Sequence, residues 1–189
     1  IRDRRKDHRT DHIPVVVLTA RGDMDSQLTG LEIGADHYLV KPFSEQELVL
    51  KLRNLLDARD RKQQMLGKPG EHEAALSEDY PQEGHFLARF RAKLDEQLDN
   101  EDLSIQDLCV ALNMSRSQLY RKFTAITNRP IGRYIRSFRL MRAREMMESA
   151  GRNVSEAAMD TGFKSLSHFS TAFREEYGFP PRDLIRGQP

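Results

Sequence analysis

Two sets of polar side chains carry the pattern in this chain most able to do chemistry. Leu119 and Phe123, four apart, mark the inward face of a helix predicted from Ser115 to about Thr127. That leaves Ser117, Tyr120, Arg121 and Thr124 together on the opposite face, at i, i+3, i+4 and i+7. Phe169 and Phe173 do the same for a helix predicted over about Leu166 to Tyr177, with Ser167, Ser170, Thr171 and Arg174 outward. Hydroxyls and guanidinium groups spaced this way serve non-covalent recognition, and they suit the width of a duplex major groove. Arg121 has the most specific capacity, because a guanidinium can donate to both acceptors of a guanine edge. The second helix offers no comparably long donor at the matching place. Its reading is expected to be weaker.

The elements that must position these faces are repeated as well. Ser104, Asp107, Leu108, Asn113, Leu119, Phe123, Asn128 and Pro130 are answered by Asn153, Glu156, Ala157, Gly162, Phe169, Phe173, Gly178 and Pro180, at an offset of 49 that becomes 50 within the turn. Each copy reads as a capped helix, a tight turn and a second helix. Asn128 and Gly178 suit the left-handed residue that ends a helix, and the prolines after them prevent its continuation. Between the copies, Ile131 to about Ala150 is predicted as one helix with Ile131, Tyr134, Ile135, Phe138 and Met141 as its buried stripe. Twenty residues at about 1.5 Å each give roughly 30 Å, close to the roughly 34 Å of one duplex turn. A first amphipathic helix, with Phe86, Phe90, Leu94 and Leu98 every four residues, precedes both copies.

Charge placement supports a polyanionic partner. The net charge of the 189 residues is only +1, yet no acid occurs between Asp107 and Glu145, where nine bases fall. Arg133, Arg136, Arg139, Arg142 and Arg144 are spread all round the connecting helix, so a solvated face is the plainer reading for them. Cys109 packs as a small hydrophobe and fits a reducing cytoplasm. No apolar run approaches the length needed to span a bilayer, and the six histidines show no zinc spacing. The chain opens on Ile1 with a charged helix-like piece, and a fragment of something longer is expected.

The N-terminal part differs in kind. Ile13 to Ala20 is a continuous run rich in β-branched residues, predicted as a strand buried on both faces. A helix over about Ser26 to Ile33 and a second strand at His37 to Val40 follow. Ser44 and Glu47 then cap a helix that is expected to bury Leu48, Leu52, Leu55 and Leu56. That helix runs on to Leu66, and Gly67-Lys68-Pro69-Gly70 stops it. Glu71 to Gly84 reads as an acidic linker broken by Pro81.

Thr19-Ala20, Gly34-Ala35-Asp36, Tyr38 and Lys41-Pro42-Phe43 resemble the second half of a bacterial response-regulator receiver domain. The resemblance implies that Thr19 hydrogen-bonds a phosphoryl group, that Lys41 pairs with it, that Tyr38 changes rotamer on activation, and that the Lys41-Pro42 bond is cis. The phosphoacceptor Asp and the acids that hold magnesium would lie upstream, so no cofactor is expected within these residues and magnesium only in an intact receiver.

Arg139-Leu140, Ala143, Met146-Met147, Gly162-Phe163, Phe169, Phe173 and Gly178-Phe179-Pro180-Pro181 resemble the DNA-binding domain of the AraC/XylS regulators. That resemblance implies base contacts from Ser117, Tyr120 and Arg121 in the first unit and from Leu166, Ser167 and Thr171 in the second. Ser115, Arg116, Lys122, His168 and Arg174 are the expected phosphate contacts. Tyr120 is open to a second reading, folded back on the surface, and the place of Arg139 implies a structural role between the two halves.

The expected architecture is mainly α with a small α/β part. Residues 1–58 would be a truncated flavodoxin-like receiver, 59–84 a helical extension and linker, and 85–189 two helix-turn-helix units on a long helix. The expected function is a non-enzymatic, sequence-specific regulator of transcription in the cytoplasm, at the output end of a two-component phosphorelay, as in hybrid regulators. Its expected partners are double-stranded DNA, a second copy through the receiver or operator half-sites, and RNA polymerase, with no membrane contact. A phosphotransfer or protein-interaction module, with the helices as a docking unit, is the alternative.

Overall fold

The structure, a computed structural model, describes residues 15–20, 37–70 and 81–186. The chain forms two compact units that divide between Gln64 and Met65.

In the first unit, β1 (Val16–Ala20) and β2 (His37–Lys41) pair in parallel, with Val16 opposite His37 and Ala20 opposite Lys41. The helix expected over Ser26 to Ile33 lies outside the described residues. The strand expected to be covered on both faces is not: Leu18 is 47% exposed, and of the two strands Leu39 alone is buried. A sheet of two strands, all that the described residues contain, has too little covering to bury both faces. Helix α1 (Glu45–Leu66) opens on Ser44, whose hydroxyl oxygen accepts from the Glu47 N–H at 3.1 Å. Leu48 and Leu55 are half-buried, whereas Leu52 and Leu56, also expected inside, are exposed. The apolar stripe is wider than the sheet surface available to it. The Lys41-Pro42 peptide is cis.

The second unit is all helix. Helix α2 (Pro81–Asp95) takes in the last four residues of the expected linker. Proline fits the first turn, where its missing N–H would have no intrahelical partner in any case, so Pro81 starts this helix rather than breaking the linker. Residues 71–80 lie outside the described residues. Helices α3 (Ile105–Leu112) and α4 (Arg116–Thr127) form the first helix-turn-helix, and α6 (Val154–Asp160) and α7 (Leu166–Tyr177) the second. They are joined by α5 (Ile131–Ser149), and α8 (Pro181–Arg186) follows.

The local signals behave as their chemistry requires. Ser104 with Asp107, and Asn153 with Glu156, form reciprocal capping boxes. The Asp107 carboxyl is held below its ordinary range by the Ser104 hydroxyl and then by the Ser104 N–H, both donating to it. Asn113 and Asn128 adopt the left-handed conformation at φ 54° and 50°, and Gly162 and Gly178 do so at 70° and 84°.

Helix α5 serves two cores. Its first half places Ile131, Tyr134 and Phe138 in a cluster with Phe86, Phe90, Leu108, Leu119 and Phe123, while Ile135 and Met141 pack at its edge, partly buried. Its second half places Leu140, Ala143 and Met147 with Ala157, Phe169 and Phe173. Aromatic contacts knit each cluster. Phe123 meets Tyr134 edge-on at 5.1 Å, and Phe169 meets Phe163 at the same distance. Tyr134 is satisfied in its buried place by the Arg91 Nε–H, which donates to its hydroxyl at 2.6 Å.

Candidate nucleic-acid interface

Helix α4 is fixed at its start by a capping box. Ser115 Oγ accepts from the Gln118 N–H at 3.3 Å, and Gln118 Oε1 accepts from the Ser115 N–H at 2.8 Å. The Ser115 hydroxyl retains its proton for an outside acceptor. Leu119 and Phe123 are buried completely, which turns Ser117, Tyr120, Arg121 and Thr124 outward, and all four are exposed. Arg121 Nε donates to the Ser117 carbonyl one turn back at 3.2 Å. That bond seats the guanidinium on the helix surface while its two terminal nitrogens carry the other four donors. The Arg116 guanidinium lies over the Tyr120 ring, 5.7 Å from its centre, and Tyr120 as a whole is 38% exposed. Tyr120 is therefore displayed beside a cation.

Lys122 is a correction. Expected at phosphate, it is only 8% exposed, with its ammonium 5.3 Å from the centre of the Phe86 ring. It follows Arg121 by one residue and so sits about 100° round the helix, on the flank that α2 covers.

Helix α7 is capped by Ser165, whose hydroxyl oxygen accepts from the His168 N–H at 3.2 Å. Phe169 and Phe173 are buried, and Leu166, Ser167, His168, Thr171 and Arg174 are exposed, with Leu166 at 46%. Ser170 is half-buried. The His168 ring lies 5.7 Å from Phe163.

The bases of α5 are largely engaged within the protein. Arg142 grips Asp95 through two hydrogen bonds of 2.8 and 2.6 Å and also reaches Glu145 at 2.9 Å. These partners hold its guanidinium firmly protonated. Arg144 pairs with Glu148 at 2.8 Å and Arg136 with Glu175 at 3.5 Å. The run without acids in sequence thus finds acids in space. The cations that accompany the outward faces are Arg116, Arg121 and Arg174.

Thr19 and Tyr38 sit at alternate places of the parallel pair and share one face of it by strand alternation. Their hydroxyl oxygens are buried, and among the described residues neither has a hydrogen-bond partner. Lys41, exposed, ends β2 opposite Ala20. Among the described residues no three His, Cys, Asp or Glu side chains could together hold a metal. No helix of the described residues is long and apolar enough to cross a membrane.

Several residues that shape the interface escape sequence reasoning. Gln118 could have been found from the Ser-x-x-Gln spacing of a capping box. The ion pair of Lys164 with Asp102, at 2.5 Å, joins residues 62 apart, and no local signal announces it.

Comparison with known proteins places the same two parts along the chain. The response regulator receiver domain family matches residues 3–53, and a helix-turn-helix domain family matches residues 108–187. Histidine kinase P4 of Formosa agariphila is 30% identical over 182 residues, which is 94% of this chain and 13% of that protein. The HTH-type transcriptional regulator GbdR of Pseudomonas aeruginosa is 33% identical over 171 residues, 90% of this chain and 42% of that protein. The chain therefore spans less than half the length of either relative. A crystal structure of a transcriptional regulator from Chromobacterium violaceum, described as an AraC-type DNA-binding domain-containing protein, is 28% identical. It covers 55% of this chain and 93% of its own, with a TM-score of 0.49. The chain thus matches part of the response regulator receiver domain family and, after it, a helix-turn-helix domain family.

Proposed function

We propose that this chain is the output end of a two-component system, a sequence-specific regulator that reads double-stranded DNA through α4 and α7. One observation carries the reading. Both helix-turn-helix units bury their apolar face completely, Leu119 with Phe123 in one and Phe169 with Phe173 in the other, and hold a short, mainly polar face outward. Ser117, Tyr120 and Arg121 would meet bases in the first groove, and Leu166, Ser167 and Thr171 in the second. Ser115, Arg116, His168 and Arg174 would meet phosphate. Arg121 carries the strongest single preference, for guanine. The chain works in the cytoplasm without catalysis, and its partners beyond DNA are a second copy of itself and RNA polymerase. Phosphorylation of an intact receiver, which would hold magnesium, gates the output, and Thr19, Tyr38 and Lys41 belong to that switch. Histidine kinase P4 suggests a parent in which sensor and output share one polypeptide.

Selection of bound sequences from a random duplex pool, with the full chain and with Arg121→Ala, tests this. The wild type is expected to enrich a defined site, and the variant to lose preference at one or two base pairs. Affinity should fall with salt at a log-log slope of about −0.9 per phosphate contact. A pool left without enrichment by the wild type would overturn the proposal.

A further inference from the structure

We infer that Arg139 is a positioning residue that sets the spacing at which the two helix-turn-helix units can read a duplex. This rests on the proposed reading of DNA and adds to it a constraint on the operator.

Arg139 sits in the middle of α5, between the residues that enter the first core and those that enter the second. Its Nη1 donates to the Gly162 carbonyl at 3.0 Å, in the turn of the second unit. Its Nη2 donates to the Asn100 carbonyl at 2.6 Å, in the loop that leads into the first unit. One planar fork thus holds a backbone oxygen from each half. Burial draws its proton affinity below the ordinary arginine value, yet a guanidinium stays charged in a protein, and charged donors make the stronger hydrogen bonds.

The backbone at this seam is close-packed. Gly162 has φ 70°, and a Cβ built there would lie 2.8 Å from the Leu98 carbonyl oxygen and 2.8 Å from Arg139 Nη2. A side chain has no room, so the turn of the second unit lies directly against the loop of the first. Two residues further on, Lys164 pairs with Asp102 across the same two segments. Residues 98–102 lead into α3, and 162–164 lead into α7. The seam therefore acts close to the start of the second recognition helix.

The two apolar clusters are distinct, so α5 and this seam carry the register between them. A helix resists stretching, but each unit can still rock about it on its own side chains. A cross-tie off the helix axis removes that freedom. Adding one base pair between half-sites moves them by about 3.4 Å and turns one by about 35° relative to the other. A locked pair cannot follow, whereas a loosened pair can.

The test measures affinity of the full chain for duplexes carrying its selected site with the half-sites at native spacing and one base pair closer or farther. A duplex with one half-site alone is the control. Wild type should lose about tenfold or more in affinity on either change of spacing. Arg139→Gln should lose about threefold or less, with affinity for the single half-site unchanged. An Arg139→Gln spacing profile identical to wild type overturns the inference, and so does a wild type that selects sequence but ignores spacing. A wild type that binds no duplex removes the proposed function itself. Should Arg139→Gln fail to fold, by its circular dichroism melt, the exposed pair decides. Asp102→Ala with Lys164→Ala should narrow the spacing penalty, and an unchanged penalty overturns the inference.

Discussion

In the first helix-turn-helix unit the outward face carries Arg121 seated on a backbone carbonyl and Arg116 stacked on Tyr120, whereas the matching places in the second hold Thr171 and Leu166. The turns differ in the reverse sense. Asn113, exposed, reaches the left-handed conformation at φ 54° with the help of its own cap bonds, while Gly162 is buried against the other half of the domain. One scaffold therefore bears two divisions of labour. The first unit is free to carry long hydrogen-bonding side chains, and the second is committed to contact with its neighbour and offers short or apolar ones.

The comparison breaks most sharply at the turns. Gly162→Ala meets both a strained φ and two atoms at 2.8 Å, and should cost on the order of 3 kcal/mol in urea unfolding. Asn113→Gly, at the equivalent place, should stay within about 1 kcal/mol. Equal losses would mean that the two turns are alike after all. Next come the reading positions. Arg121→Ala should forfeit about 1–3 kcal/mol of discrimination at one or two base pairs, and Thr171→Ala less than about 1 kcal/mol, both by competitive titration against single-base variants of the selected site. The phosphate contacts should separate from these. Arg116→Ala and Arg174→Ala should each weaken all duplexes together and reduce the salt slope by about 0.9. A sequence-dependent loss in either would move that arginine to the bases. The caps are compared through stability alone. Ser115→Ala and Ser165→Ala should each cost about 1 kcal/mol of stability, with Ser115 the larger because its box is reciprocal with Gln118.

Much of the helical domain was legible because its signals are local. Ser104, Asn113, Asn153 and Gly162 each mark a boundary within a few residues, and Leu119, Phe123, Phe169 and Phe173 fix which way a helix faces. The exposed residues at matching places followed from that geometry. What was not legible depends on partners far along the chain. Lys122 reads as one more surface base until α2 is laid over it through Phe86. The arginines of α5 read as an unopposed run until Asp95 and Glu175 come alongside. The N-terminal unit misled for another reason: Leu52 and Leu56 have the spacing of a buried stripe, but a stripe reports only what a helix is able to bury, not how much surface stands opposite.

Helix α5 lends one end to each of two oily interiors, and its backbone ladder runs from Ile131 to Ser149 without a joint where one end might loosen alone. To melt either interior is to unseat the rod on which the other is built. The pair of readers consequently lives and dies as a single cooperative body. A protease that severs the chain within that rod would leave no surviving half-reader to occupy a site and obstruct the intact protein.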